Sequence, residues 1–542
     1  MTITTRQSLP AFIEAVNIAS NSDEGRTVDV STGTFRLQYW ESILQDSIRA
    51  TIMYGDSGNT IDERTAVDGL PIVGQEKVRL KFTDNNEETL DLTMYVNKVT
   101  PFYDDSNKSG VALDLVSKEF IMNEKVRVKK RFDGNITDHV KTILTDVLKV
   151  DAEKISDENI EDTQNDYNIL GLNKKPYYIL NYLSKASVPS TQNSEGNTAG
   201  FFFFETSKGY NFKSIDSLLG QEKKKSIIYN ETPDSGGKGI PAGYDMKALQ
   251  YEKENAVNVQ SKLRMGAYST RTIVFNPFNC KYEVITNEAE TIEKKEGIQT
   301  AGEHLPKLNK EFTVDGKEQE FSRTMYMLLD TGVLPTGKST KPVATTKDQL
   351  TKSQSQNYQA KKILAQSVMR YNQLFAAINT ITIAGDFSLH AGDAIFVDAP
   401  DLQTDTKNDE VNKESGGLYI IADLCHYITP KETYTKLNLV RDTFGRKGTP
   451  TQIPIMTIKH DLEHEVYIDP KDGKEHTNHG MHEYTKDDLE NVHADYEVYH
   501  KNDKVDNNEG KINDYHTRHE DSHLEVYCDN HPDADECKVY DD

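Results

Sequence analysis

Tryptophan occurs once and cysteine four times in 542 residues. Thiols as sparse as Cys280, Cys425, Cys528 and Cys537 form no disulfide framework. Cys528 and Cys537 alone lie close enough in sequence to pair, and the plainer expectation is free thiols in a reducing cytosol. Nowhere do about 18 consecutive apolar residues occur, so no stable membrane insertion by a helix is expected. The opening MTITTRQSLP lacks a basic stretch followed by an apolar one, so no signal peptide is expected there. Basic charge is in deficit, with 63 Lys and Arg against 87 Asp and Glu, a net charge of -24. Holding DNA statically needs positive patches, so this balance argues against a static DNA binder.

The deficit is uneven. From Lys459 onward there are 25 acidic and 9 basic residues, and 11 of the 15 histidines fall between His460 and His531. A nearly balanced body therefore precedes an acidic, His-rich tail. Glu-Val-Tyr recurs in the tail at Glu465, Glu497 and Glu525. These are either strands of a small appendage or sticky points in a solvated segment.

The body is long enough for three or four cores. Between Thr27 and Val128, apolar and polar residues alternate: Phe35, Leu37 and Tyr39; Ile48, Ala50, Ile52 and Tyr54; Val78, Leu80 and Phe82; Leu90, Leu92, Met94 and Val96; Val111, Leu113 and Leu115. Period two marks strands with one buried face, and their regular spacing suggests an antiparallel barrel or sandwich. The period then changes. Ile136, Val140, Ile143, Leu144 and Val147 predict a helix that Thr137 could cap, and Pro176 opens a second helix through Leu183. Phe201–Thr206 reads as a buried strand, and Lys208-Gly209 turns it into a hairpin whose Tyr210 and Phe212 pack a core. Ser269 to Val284 is strand-like. Thr331 to Gln356, with four lysines, reads as a linker. Leu364, Val368, Tyr371 and Phe375 place one apolar face on a helix from Tyr358 to Phe375. A last strand-rich block runs from Thr380 to Phe444. In it Gly385 and Gly392 bracket an excursion where Leu389 tucks inward, and Asp393 suits the turn before Ala394–Val397.

Three motifs resemble chemistry. Gly332-Val-Leu-Pro-Thr-Gly337-Lys338-Ser339 fits the phosphate-binding loop, and Leu418-Tyr-Ile-Ile-Ala-Asp423 fits its magnesium-holding strand. Phosphate binding needs a helix directly after the loop, because the helix N-terminal amides hold the anion. Thr340-Lys341-Pro342-Val343 is a poor helix start, so a linker is the simpler reading. His460-Asp-Leu-Glu463-His464 fits a zinc-protease spacing, but Val466, Tyr467 and Ile468 favour a strand and Pro470 ends any helix early. His476, His479 and His482, and again His516, His519 and His523, are weak candidates for metal ligands. A solvated tail accounts for them equally well. No catalytic residue and no cofactor is expected.

Several segments in order carry a resemblance. Pro176-Tyr-Tyr-Ile-Leu-Asn-Tyr-Leu183, the stretch from Phe201 to Leu219, Met369-Arg-Tyr-Asn-Gln-Leu-Phe375, the run from Ile381 to Phe396, and Tyr434-Thr-Lys-Leu-Asn-Leu-Val-Arg-Asp442 resemble the baseplate central hub proteins of T-even-like myoviruses. The hub part of type VI secretion spike proteins is similar. The resemblance covers roughly residues 1 to 446. It implies a multi-domain, mainly β chain with an α+β insertion and two related antiparallel, tail-tube-like β-barrels. The implied layout is a first barrel at 1–128, an α+β domain at 129–240 lending its FFFFET strand to the second barrel, a mixed insertion and linker at 241–356, a helix plus second barrel at 357–446, and the acidic extension at 447–542. It further implies a non-catalytic homotrimeric ring in the virion's tail baseplate, assembled in the host cytoplasm. The implied partners are tail-tube or tube-initiator proteins, a trimeric spike or lysozyme-type protein, and inner baseplate proteins, with DNA passing through the lumen unbound. The alternatives are a spike protein of a contractile injection or secretion system and, from another class, a P-loop NTPase or metal-dependent enzyme.

Overall fold

The computed structural model describes residues 9–22, 25–58, 61–105, 108–190, 198–229, 240, 243–254, 258–276, 280–289, 298–303, 305–313, 321–328, 360–399, 415–443, 445, 466–468 and 475–477. Alternation decides the first block. Its strands are β1 (Phe12–Ala19), β2 (Thr27–Asp29), β3 (Thr34–Ser42), β4 (Arg49–Asp56), β5 (Lys77–Thr83), β6 (Thr89–Asp105) and β7 (Lys108–Val116). All pair antiparallel, in the order β3-β4-β7-β6-β5-β1-β2. Val78, Leu80 and Phe82 stand directly opposite Met94, Leu92 and Leu90, and all six are buried. Burying a side chain of this size contributes roughly 1.5–3 kcal/mol. Phe35 departs from its expected inward position. A bulge between Thr34 and Arg36 inserts one residue, which turns Phe35 outward, where it meets Phe102 edge to face at 6.0 Å.

The middle of the body holds the short strands β8 (Arg131–Phe132) and β9 (Ile169–Leu170), several helical segments and the hairpin β10 (Phe201–Thr206) with β11 (Gly209–Ser214). Asn135, not Thr137, caps the Ile136–Thr142 helix by accepting from the Thr137 N–H. Thr137 lies two residues too late for that role, and its hydroxyl contacts the Glu161 carbonyl and Thr163. Pro176 opens the Pro176–Ala186 helix, as expected. The four phenylalanines are consecutive because both faces of β10 are covered. Phe201 and Phe203 join Tyr210 and Phe212 in the core of the middle region, while Phe202 and Phe204 face Leu218, Ala391 and Ile420.

Seven further strands complete the main sheet: β12 (Lys225–Ile228), β13 (Met246–Lys247), β14 (Gln250–Glu254), β18 (Ala377–Ala384), β19 (Ala394–Asp398), β20 (Gly417–Ile428) and β21 (Thr433–Arg441). Between them in sequence lie β15 (Ser269–Asn276), β16 (Lys281–Glu288) and β17 (Thr324–Leu328), a separate sheet in the order β16-β15-β17. Leu389 tucks inward as expected. At Gly392, φ is +89° and a Cβ would press on the Phe204 ring at 2.8 Å, so only glycine fits there. β12 pairs parallel with both β13 and β19, so this block is not wholly antiparallel.

The two blocks are one sheet. β21 covers one edge of β20, while the opposite edge is shared by β19, at Gly417–Ile420, and β3, at Asp423–Ile428. A bulge at Ala422 marks the handover, and its carbonyl accepts from the Ile43 N–H at 2.9 Å. Fourteen strands are thereby joined, and among the described residues they do not close into a barrel. The fold is mainly β.

The Ala360–Leu374 helix forms where expected, but its buried side differs. Gln366, Ser367, Met369, Arg370, Gln373 and Leu374 are buried, whereas Val368, Tyr371 and Phe375 are half-buried. The helix packs polar groups inward because carboxylates and carbonyls await them there. Residues Ile453–Asp542 form a second unit, in which β22 (Val466–Ile468) pairs antiparallel with β23 (Glu475–Thr477).

Candidate functional site at the seam of the two strand blocks

Glu41, near the end of β3, is buried where the blocks meet. Its Oε1 accepts from the Tyr39 hydroxyl at 2.8 Å and the Ser207 N–H at 2.7 Å, and its Oε2 accepts from the Ala391 N–H at 2.9 Å. His390 Nδ1 lies 3.4 Å away. One carboxylate thus ties β3, the β10–β11 turn and the loop before β19. Burial pushes the Glu41 carboxyl up, but His390 and the two N–H donors outweigh it and hold the group below the usual range. The Tyr39 ring stacks on His426 at 5.9 Å, and Phe387 meets the same imidazole edge-on at 4.9 Å. His426 Nδ1 contacts Thr435 Oγ1 at 2.9 Å, and burial pushes this imidazole down to about 4.

Ser207, His390 and Glu41 invite a nucleophilic reading, and geometry opposes it. A relay needs hydroxyl and carboxylate on opposite ring nitrogens, so that the ring can pass a proton across. Here Ser207 Oγ, at 3.2 Å, and Glu41 Oε1, at 3.4 Å, both address Nδ1. The cluster fastens three segments together.

Two more buried ties have the same character. Arg370, fully buried, gives Nη1 to Asp442 at 2.8 Å and Nη2 to Asp216 at 3.0 Å and to the Gln299 carbonyl at 2.9 Å. Burial alone would lower its pKa, but Asp216 and Asp442 outweigh that and keep it cationic. Asp216 also accepts from the Thr198 N–H and hydroxyl. Lys154 bridges buried Glu119 and Glu205 at 3.2 and 3.0 Å, and Glu205 also accepts from the Ile48 N–H.

Over the outward face of the seam runs a groove of about 830 Å3 across β21, β20, β3, β4 and β7. Trp40, the chain's single tryptophan, lines it together with Arg49, Thr51, Asp114, Asp423 and Lys436. Both charge signs are present, so the lining is no basic track for phosphates.

The residues singled out in sequence fall elsewhere. Gly332, Gly337, Lys338 and Ser339 lie outside the described residues, as do His460, Glu463, His464, His479, His482, His516, His519, His523, Cys528 and Cys537. His476 is placed on β23. The run ending at Asp423 is the first half of β20, whose partners are all antiparallel, unlike the parallel strand that a nucleotide fold uses, and Asp423 accepts from Asn438 at 3.2 Å. Cys280 and Cys425 are free thiols, and burial pushes Cys425 up to about 11. Glu41, Arg370 and Lys154 were not foreseen. Nothing in the local sequence of each sets it apart, and only its distant partners reveal its role.

Solved structures similar to this chain are phage tail and baseplate proteins and type VI secretion proteins. The 43 kDa tail protein of prophage MuSo2 from Shewanella oneidensis is 9% identical, with 79% of this chain and 100% of that one covered and a TM-score of 0.42. A tail protein from Neisseria meningitidis MC58 is 9% identical over 79% of this chain and 96% of that one, with a TM-score of 0.43. An E. coli component of the type VI secretion system is 9% identical over 77% and 76%, with a TM-score of 0.35. A family model described as the CP12 domain matches residues 483–541. No curated protein matches the sequence.

Proposed function

We propose that this chain is a structural, non-catalytic hub subunit of a contractile-tail baseplate, working in the virion as a homotrimer. The observation that carries this reading is the β3–β20 pairing. It sets two strand blocks, one from each end of the body, side by side in a single sheet. Each block serves as one tube-like unit, so three chains offer six such units to a sixfold tail tube or its initiator. The opposite side keeps threefold symmetry and grips a trimeric spike, with inner baseplate proteins around the ring. The buried Glu41 ties the two blocks to each other, while Arg370 ties the second block and Lys154 with Glu205 the first to the middle of the body, as a load-transmitting adaptor requires. The mixed charge of the groove and the acidic balance of the chain suit a lumen through which DNA slides without sticking. Assembly takes place in the host cytoplasm.

Light scattering combined with electron microscopy of the purified chain tests this. The expected result is a mass near three times 61.3 kDa and a ring with a central hole. A strict monomer that stays monomeric when tube and spike proteins are added overturns the reading.

A further inference from the structure

Three lysines from separate segments border one small cavity of about 190 Å3. Lys208 stands in the β10–β11 turn, Lys213 on β11 and Lys224 just before β12. Asp393 is the one acid in the lining, and its Oδ2 accepts from Lys224 at 2.8 Å and from the His390 N–H at 2.7 Å. Lys208 and Lys213 pair with no carboxylate among the described residues. The lining thus carries three positive charges against one negative, in a chain whose net charge is -24. Like charges that several segments bring together repel unless a negative group stands between them.

The walls are held in place. Gln221 Nε2 donates to the Leu218 carbonyl at 2.8 Å and to the Gly392 carbonyl at 2.6 Å, and Asn211 Nδ2 donates to the Gly209 carbonyl at 3.2 Å. His390 lines the same cavity with a side chain only 9% exposed. Its Nδ1 is taken by Glu41 and Ser207, while its Nε2 is buried and meets no partner. Buried polar atoms are nearly always hydrogen-bonded, so a lone ring nitrogen on a residue bordering a cationic cavity calls for a ligand.

We infer that this cavity binds a small oxyanion of the phosphate class, held by Lys208, Lys213 and Lys224 with His390 beside them. It needs only one chain, whatever the assembly. The charge excess sets the sign of the ligand, and lysine ammoniums serve phosphate oxygens as point charges. Size sets the class. The cavity lies below the roughly 300–1,000 Å3 of pockets that enclose organic ligands, so it takes a phosphate group and not a whole nucleotide. Once protonated, the His390 ring donates through Nδ1 to Glu41 and through Nε2 to the anion. The bound anion would clip the β10–β11 hairpin to the loop before β19, beside the Glu41 tie.

The test titrates inorganic phosphate into the full chain by calorimetry at constant ionic strength, with sodium chloride as the matched salt. Lys208→Gln/Lys213→Gln is the site variant, since neither lysine makes an ion pair among the described residues whose loss would unsettle the fold. Lys98→Gln/Lys125→Gln is a control of equal charge at exposed positions elsewhere. The expected result is one phosphate per chain with a dissociation constant of about 1 mM or tighter, weakened at least about tenfold in the site variant and unchanged in the control. Glycerol phosphate separates the sources. Equal binding means that the cavity takes the phosphate end of a larger molecule, and binding of inorganic phosphate alone means a free ion. Circular dichroism checks that each variant folds, and Lys208→Gln alone replaces a site variant that does not. A full chain without saturable binding at up to ~10 mM phosphate overturns the inference. Equal affinity of the full chain and the site variant, an adventitious ion only, overturns it as well. Lys338→Ala, which removes the lysine of the phosphate-loop pattern, is expected to bind like the full chain. Loss of binding in that variant overturns the assignment to this cavity.

Discussion

Acid is expected to loosen the seam between the strand blocks, and His426 sets where. Its imidazole is buried between Tyr39 and Phe387, and burial holds it at about 4, against 6.5 for a free histidine. The folded pKa lies below the unfolded one, so between these values the unfolded chain binds the extra proton. Stability is then complete above pH 6.5 and falls as pH drops toward 4. Linkage over that span amounts to roughly 3 kcal/mol by pH 4. Buried carboxylates such as Asp216 and Glu205, raised by burial, act with the opposite sign in the acid range, so the wild-type profile alone does not isolate the histidine. A His426→Phe variant does. It keeps an aromatic ring against Tyr39 and costs about 1 kcal/mol at neutral pH through the lost contact to Thr435. Trp40 stands opposite Cys425 in the β3–β20 register and is the single tryptophan, so its emission reports this seam directly. The Trp40 transition in urea is measured for both proteins at pH 7 and pH 4. The variant is expected to lose about 3 kcal/mol less than the wild type. Equal losses in the two proteins refute the reasoning.

Arg370→Leu leaves Asp216 and Asp442 buried without their cation, and a loss of roughly 3–5 kcal/mol is expected in chemical unfolding; a loss under about 1 kcal/mol counts against the tie. Gly392→Ala combines an unfavourable positive φ with pressure on Phe204, and a lower thermal midpoint with a cost of roughly 1–3 kcal/mol is expected. If Gly332–Ser339 is a linker, the chain turns over no ATP and Lys338→Ala changes nothing; turnover abolished by that substitution overturns the structural reading.

How far the sequence could be read depended on the kind of interaction. Period-two runs such as Val78, Leu80 and Phe82 are set by local alternation, so strand and buried face both follow from the residues. Phe35 failed because one inserted residue puts Thr34 and Phe35 out of phase with Leu37 and Tyr39, and the bulge leaves no mark in composition. On the Ala360–Leu374 helix, the apolar pattern found the helix but missed which side is inward, since Arg370 is buried only because Asp216 and Asp442 come from elsewhere in the chain. The Glu41 cluster draws on residues up to 350 apart, and no local signal announces such a meeting. The motif match at Asp423 shows the converse: Asp423 satisfies a pattern while its strand has the wrong neighbours.

The seam also imposes an order of events on folding. β3 is finished within the first tenth of the chain, yet its partner β20 lies near residue 420. At roughly 5–20 residues per second, the ribosome takes some tens of seconds to supply that partner. Throughout that time β3 presents an unpaired edge, open to any passing strand. A chaperone, or rapid capture by a neighbouring chain, would protect it. The same pairing that fixes the finished adaptor therefore makes the newborn chain most vulnerable at its first block, and overproduction without its assembly partners is expected to yield aggregates seeded there.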